Sequence, residues 1–240
     1  MITFSRQYFN YHRRRFICPG FVVSYSGMRQ RTVKSRDKII EDCRAWLVEK
    51  PEEMPGKWAE LFGNTNPLHA EIGSGKGYFL TQMALLHPEM NFVAIEGGPD
   101  IAIRILQKAK ELDLKNLRVI SVFVNDAREF FAEGEVAGIF VNFCDPWPKA
   151  RHAKRRLVYR GKLEAYKAVA ASGAKLAFRT DNDELFEFGL EEFKAAGLEP
   201  EIVTRNLHAE DFFASMIPTE YETKFAESGK NINYALVCLR

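Results

Sequence analysis

The stretch that most constrains the fold is Leu68-His69-Ala70-Glu71-Ile72, followed at once by Gly73-Ser74-Gly75-Lys76-Gly77. A short apolar strand running into a glycine loop, with a helical pattern over 78–87 behind it, is how a parallel α/β sheet makes its first crossover. Pro88 closes that helix. The alternation then continues. Strands are predicted over 91–96, 117–124, 139–144 and 174–179. Helices are predicted over 101–112, with Ile101, Ile105, Ala109 and Leu112 on one face, over 162–171, and over 184–196. Asn125-Asp126-Ala127 opens a further short helix, Thr180-Asp181-Asn182 supplies cap formers, and Gly197 ends the last helix. Two later apolar stretches, 201–207 and 232–239, are expected to pair as a terminal antiparallel hairpin. The fold class is therefore α/β, a doubly wound, Rossmann-like and mostly parallel sheet. A length of 240 residues suits one such domain.

The glycine loop narrows the ligand. A Walker P-loop needs G-x-x-x-x-G-K-[ST], but Lys76 is followed by Gly77 and no glycine stands five residues before Gly75. The dinucleotide fingerprint G-x-G-x-x-G is one residue longer than the spacing of Gly73, Gly75 and Gly77. Glu71 precedes the first glycine by two residues, a poor neighbour for a pyrophosphate and a good one for an ammonium or sulfonium group. S-adenosylmethionine carries both. Gly73 and Gly75 would allow its close approach, and Glu71 would face its cationic end. Glu96 ends the second strand nineteen residues after Gly77, where an acid can accept both ribose hydroxyls. An NAD enzyme uses a similar acid, so Glu96 does not separate the two cofactors. Asp126, at the expected end of the third strand, is a candidate acceptor for the adenine amino group. Each acid alone also fits a helix cap; three at successive strand ends beside a glycine loop point to one cofactor.

After the fourth strand comes Asp145-Pro146-Trp147-Pro148-Lys149, then Arg151-His152-Ala153-Lys154-Arg155-Arg156. Two prolines stop the ladder and stiffen the backbone. Asp145 is thus expected at the carboxyl end of a central strand, where open α/β sheets place ligands. The five cations of 149–156 suit a phosphate backbone, and equally suit a solvated basic turn. Trp147 offers either a stacking surface for a base or an indole that pins the loop.

Charge is unevenly spread. Residues 1–36 hold eight Lys/Arg and no acid, while the whole chain carries only +2, so the remainder is acidic and its basic segment stands out. Residues 1–27 lack a continuous apolar core, which argues against a secretory signal. They read as an Arg-rich transit peptide, or as a disordered extension or mis-called start upstream of a functional start at Met28. Residues 28–66 read as a basic arm and an amphipathic helix over 37–50, and 67–240 as the catalytic domain. Cys18, Cys43, Cys144 and Cys238 are scattered without a C-x-x-C pair, fitting reduced thiols in a cytoplasmic setting. His69, His87, His152 and His208 are too dispersed to suggest a metal site, and no apolar run approaches the ~20 residues of a membrane span.

Together, Glu71 to Gly77, Ala94-Ile95-Glu96, Asp145 to His152, Arg179-Thr180-Asp181-Asn182 and Thr219-Glu220-Tyr221-Glu222-Thr223-Lys224-Phe225 resemble the bacterial tRNA (guanine-N7-)-methyltransferases. The resemblance runs from about residue 28 onward, and the Asp-Pro-Trp-Pro-Lys block is its most specific part. Asn142-Phe143-Cys144 departs from the more aliphatic or Pro-containing context expected there. The resemblance implies a class I S-adenosyl-L-methionine-dependent sheet and methylation of N7 of a guanine at position 46, in the variable loop of tRNA. It implies cofactor contacts from Glu71, Glu96, Asp126 and Asp145, and substrate contacts from Lys149, Asp181, Thr219 and Glu222. RNA contacts are implied for Arg151, Lys154, Arg155 and Arg156. Guanine N7 already holds a lone pair, so no base is needed, and catalysis should come from positioning and electrostatics. Asp145 is the first candidate to offset the charge that methylation leaves on the purine. Asp181 is the second, and it also fits a helix N-cap. Two rivals remain open: another methyltransferase of this fold, and a non-catalytic tRNA-binding protein. Monomer and homodimer are both compatible with the sequence.

Overall fold

β1 (Leu68–Ile72) and β2 (Asn91–Ile95) are buried at every position, the signature of strands covered on both faces. They are joined by β3 (Leu117–Ile120), β4 (Val136–Asn142) and β5 (Ala170–Thr180) in parallel. β6 (Pro200–Thr204) and β7 (Asn233–Cys238) complete the sheet in the order β3-β2-β1-β4-β5-β7-β6. β7 runs antiparallel to both β5 and β6. The expected terminal antiparallel pair is present, with its second strand inserted beside β5. This computed structural model describes residues 36–211, 216–219, 222 and 231–240. The 1–27 extension, the arm at 28–35, and Glu220, Tyr221 and 223–225 of the C-terminal motif lie outside the described residues.

Helices cover both faces. On one side α3 (Tyr78–Leu86) and α4 (Pro99–Glu111) bury Phe79, Leu80, Met83, Ile105, Leu106 and Ala109 against Phe92, Leu117 and Val119. On the other, α2 (Trp58–Phe62), α5 (Arg160–Val169) and α6 (Asp183–Ala195) bury Trp58, Leu163, Tyr166, Phe186 and Phe193 against Ile72, Ile139, Val141 and Phe178. The first crossover is tight. Gly77 sits at φ +72°, and a Cβ there would lie 2.7 Å from Ile105 Cγ2, so glycine lets α3 start hard against α4.

Several boundaries differ from expectation. The helix expected over 37–50 is α1 (Arg36–Asp42) only. Beyond it, the Trp46 indole donates to Leu114 O at 2.8 Å and Val48 N to Val119 O at 2.9 Å, drawing the chain along the sheet edge. In α4 the buried stripe is Ala102, Ile103, Ile105, Leu106 and Ala109, while Leu112 is exposed at the C-cap, one residue past the helix. β3 stops at Ile120 rather than reaching 124. β5 begins at Ala170, inside the expected helix 162–171, and a register shift opposite Val136–Gly138 accommodates Gly173 at φ +75°. β4 ends at Asn142, two residues early, since Phe143 turns into the left-handed region at φ +49°. Among the described residues, Cys43, Cys144 and Cys238 are free thiols, and no helix is long and apolar enough to cross a membrane.

Candidate active site at the carboxyl rim of the sheet

The parallel strands aim their carboxyl ends at one rim. Glu71 closes β1 and is only 2 % exposed. Its Oε1 accepts from Asn142 Nδ2 at 2.8 Å, across on β4, while its Oε2 is buried without a hydrogen-bond partner. Burial pushes the carboxyl up to about 8, against the pull of Asn142 and of nearby Arg179. The glycine loop folds over this group. Ser74 Oγ donates to Glu71 O at 2.9 Å and accepts from Ile95 N at 3.1 Å, locking the loop to β2. A Cβ built on Gly75 meets nothing within 4 Å, so the loop faces open space there.

Glu96 follows β2. Its two oxygens accept from Gly75 N at 2.9 Å and Gly98 N at 2.8 Å, and burial raises its carboxyl above the ordinary range. Asp145, exposed, adds to that rise by charge repulsion, and Glu96 does the same to Glu71. The three carboxylates therefore share one electrostatic neighbourhood. One orphaned buried oxygen, two further acids and an open glycine loop suit a ligand with a cationic group and hydroxyls.

Other expected residues fall differently. With β3 ending at Ile120, Asp126 is not at a strand end. It N-caps a 3₁₀ turn, Ala127–Glu129, and both its oxygens are engaged by the Arg128 guanidinium. The residue that does stand out past β3 is Phe123, 78 % exposed, whose ring lies so close over Gly97 that a Cβ there would be 2.2 Å from it. In the sequence, Phe123 falls within the run that predicts the third strand, 117–124. Lys162, nearly buried on α5, holds this segment by donating to Val124 O at 2.7 Å and Asn125 O at 3.1 Å.

At the end of β5, Asn182 rather than Asp181 is the N-cap of α6, its Oδ1 accepting from Leu185 N at 2.7 Å. The cap role expected for Asp181 thus passes to its neighbour, and Asp181 stays half-buried at the rim. Arg179 pairs with Glu222 at 3.1 Å, with side chains 3 % and 1 % exposed, and also donates to Ile217 O at 3.0 Å. Glu222 accepts in addition from Thr219 N. Thr219 and Glu222 are therefore buried, and they brace the C-terminal segment against the sheet.

The basic segment splits in two. Lys149, Arg151, Lys154 and Arg155 are exposed, the last with its guanidinium 4.9 Å from the Trp147 ring centroid. Trp147 is half-buried with φ +42°, its ring edge-on to His152 at 5.6 Å. Arg156 turns inward: Nε donates to Pro146 O at 3.0 Å and Nη2 to Trp147 O at 3.1 Å. A cavity of about 430 Å³ lined by Pro55, Arg128, Phe131 and Arg240 lies at the opposite end of the sheet and gathers none of these groups.

This rim has relatives. A family model described as a putative methyltransferase matches residues 65–235. A tRNA (guanine-N(7)-)-methyltransferase of Geobacillus sp. (strain WCH70) is 46 % identical over 205 residues, covering 85 % of this chain and 93 % of that protein. One from Halalkalibacterium halodurans is 44 % identical over 198 residues, covering 82 % and 89 %. In fold, the chain is similar to the crystal structure of the 16S rRNA methyltransferase KamB, with a TM-score of 0.56 at 15 % identity over 76 % of this chain and 92 % of that one. With most of its length matched at this identity, and the acidic rim and Asp-Pro-Trp-Pro-Lys turn on one edge of the sheet, the chain belongs to the tRNA (guanine-N(7)-)-methyltransferase family.

Proposed function

We propose that this protein methylates N7 of a guanine in tRNA, at position 46 of the variable loop, with S-adenosylmethionine as donor. The observation that carries the reading is the coupling of Glu71, Glu96 and Asp145 in one acidic rim, with an exposed basic segment beginning four residues beyond Asp145. When bound, S-adenosylmethionine would supply an electrophilic methyl group on a sulfonium to the lone pair of guanine N7, the purine taking over the positive charge that the departing sulfur loses.

The residues divide that work. Glu71 receives the ammonium end: burial otherwise keeps a proton on this carboxyl, and a bound cation would draw it off and pair with the carboxylate. Glu96 keeps its carboxylate aligned through Gly75 N and Gly98 N and accepts the ribose hydroxyls. The flat face of Phe123 takes the adenine, in place of Asp126, whose oxygens are held by Arg128. Asp145 faces the guanine and offsets its developing charge, helped by Asp181. Lys149, Arg151, Lys154 and Arg155 meet phosphates and set the tRNA in place without reading its sequence. The setting that suits this substrate is the cytoplasm.

The test is nucleoside analysis of tRNA lacking 7-methylguanosine after incubation with the protein and methyl-labelled S-adenosylmethionine. Label in 7-methylguanosine is expected. Cofactor and tRNA both bound with no label transferred would sink the reading and favour a non-catalytic tRNA-binding role; label in another nucleoside would favour a different methyltransferase of the fold.

A further inference from the structure

We propose that Arg156 is a positioning residue for methyl transfer, a clamp on the turn that presents Asp145, and not a phosphate contact. The inference rests on the functional reading above and deepens it. It starts from what the turn lacks. Past β4 the chain leaves the sheet, Pro146 and Pro148 carry no N–H, and Trp147 is forced to φ +42°, a region that L-residues occupy only when their surroundings hold them there. Nothing in the ladder fixes this turn. The guanidinium of Arg156 does so from nine and ten residues downstream, with Nε on Pro146 O at 3.0 Å and Nη2 on Trp147 O at 3.1 Å.

The guanidinium is itself held. Its carbon lies 4.2 Å from the Phe188 ring centroid, on α6, which fixes the plane of the fork. Glu192, which Arg160 pairs at 2.8 Å, lies near enough to feel its charge: Arg160 first, and Arg156 to a smaller degree, hold that carboxyl below the ordinary range. A cation held over a ring, with its donors on two carbonyls and an acid nearby, is badly placed to meet RNA. Arg151, Lys154 and Arg155, exposed on the same segment, are well placed. Because two parallel N–H donors of fixed geometry are required, lysine cannot replace arginine here, whereas at a phosphate it would serve.

The experiment compares Arg156→Lys, Arg156→Gln and Phe188→Leu with the parent protein. Initial rates are measured on tRNA, tRNA affinity across a salt series, and backbone hydrogen exchange over 143–149. Arg156→Lys is expected to lose about 10- to 100-fold in kcat, as misplacement of a reacting group does. Its tRNA affinity should hold, and exchange over the turn should quicken. Arg156→Gln should leave the slope of log affinity against log salt unchanged. Phe188→Leu keeps every charge and should lower kcat in the same sense, so the proposal survives a failure of either Arg156 variant to fold. Parental turnover and exchange in Arg156→Lys, or a slope shallower by about 0.7–0.9 in Arg156→Gln, the change for one phosphate contact, would overturn it. If the parent leaves tRNA unmethylated, the functional reading fails, and exchange over the turn still decides the clamp.

Discussion

Glu71 keeps a carboxyl inside a parallel strand, one oxygen on Asn142 and the other bare. Its folded value of about 8 lies above the ordinary 4.5, so folding takes up a proton between those limits. The stability that this group contributes is complete below the ordinary value and is lost as pH rises through the folded one. Glu71→Gln should therefore raise Tm relative to the parent at about pH 9 and change it far less at about pH 5. Thermal melts at the two values check this, and equal shifts would contradict it. In the same range, S-adenosylmethionine binding should release a proton, seen in calorimetry as a heat that depends on the buffer's ionisation enthalpy; Glu71→Gln should abolish both heat and binding. Asp145 is exposed, and in the proposed reading it faces the guanine. Asp145→Asn should cost about 100-fold in kcat, the scale of removing one preorganised electrostatic group, while tRNA affinity is retained. Single-turnover rates beside filter binding separate the two, and a parental rate would remove Asp145 from its role.

At the level of elements, the join between β1, the glycine loop and α3 is the most constrained. Gly77→Ala places a methyl group 2.7 Å from Ile105 Cγ2 at φ +72°. It should destabilise the fold by about 1–3 kcal/mol, read from the denaturation midpoint, and Ile105→Ala in the same chain should recover part of the loss because the two sites touch. This join was legible in the sequence because turn chemistry and apolar period agree there. The first two strands, α3 and the Gly197 stop were legible for the same reason. The end of β3 was not. Val122, Phe123 and Val124 look like more strand, yet Val122 and Val124 pack into the core from a loop whose carbonyls Lys162 holds from 37 and 38 residues away. The misplaced end put Asp126 at a strand end, where it instead caps a 3₁₀ turn. The Arg179–Glu222 pair spans 43 residues and leaves no local trace in the sequence. Composition counted Arg156 among the phosphate binders; only the direction of its fork separates it from Arg155.

Across the whole molecule, charge is sorted by face. Acids gather around the ligand end of β1, β2 and β4, and exposed cations follow on the segment leaving β4. Affinity for tRNA should therefore fall steeply with salt. Arg151→Gln with Lys154→Gln should flatten the log–log slope by about 1.4–1.8 in total, about 0.7–0.9 for each lost contact, with kcat at saturating tRNA preserved. An unchanged slope would move the RNA elsewhere. The order of the sheet has a consequence of a different kind. β6 follows β5 in the chain but does not touch it, because β7 stands between them. Until residues 233–238 have been made, β6 has no strand to pair with, and the Arg179 end of the rim has no strand neighbour on that side. An unfinished copy therefore keeps an open β5 edge beside the rim, and the sheet closes on that side only when β7 arrives.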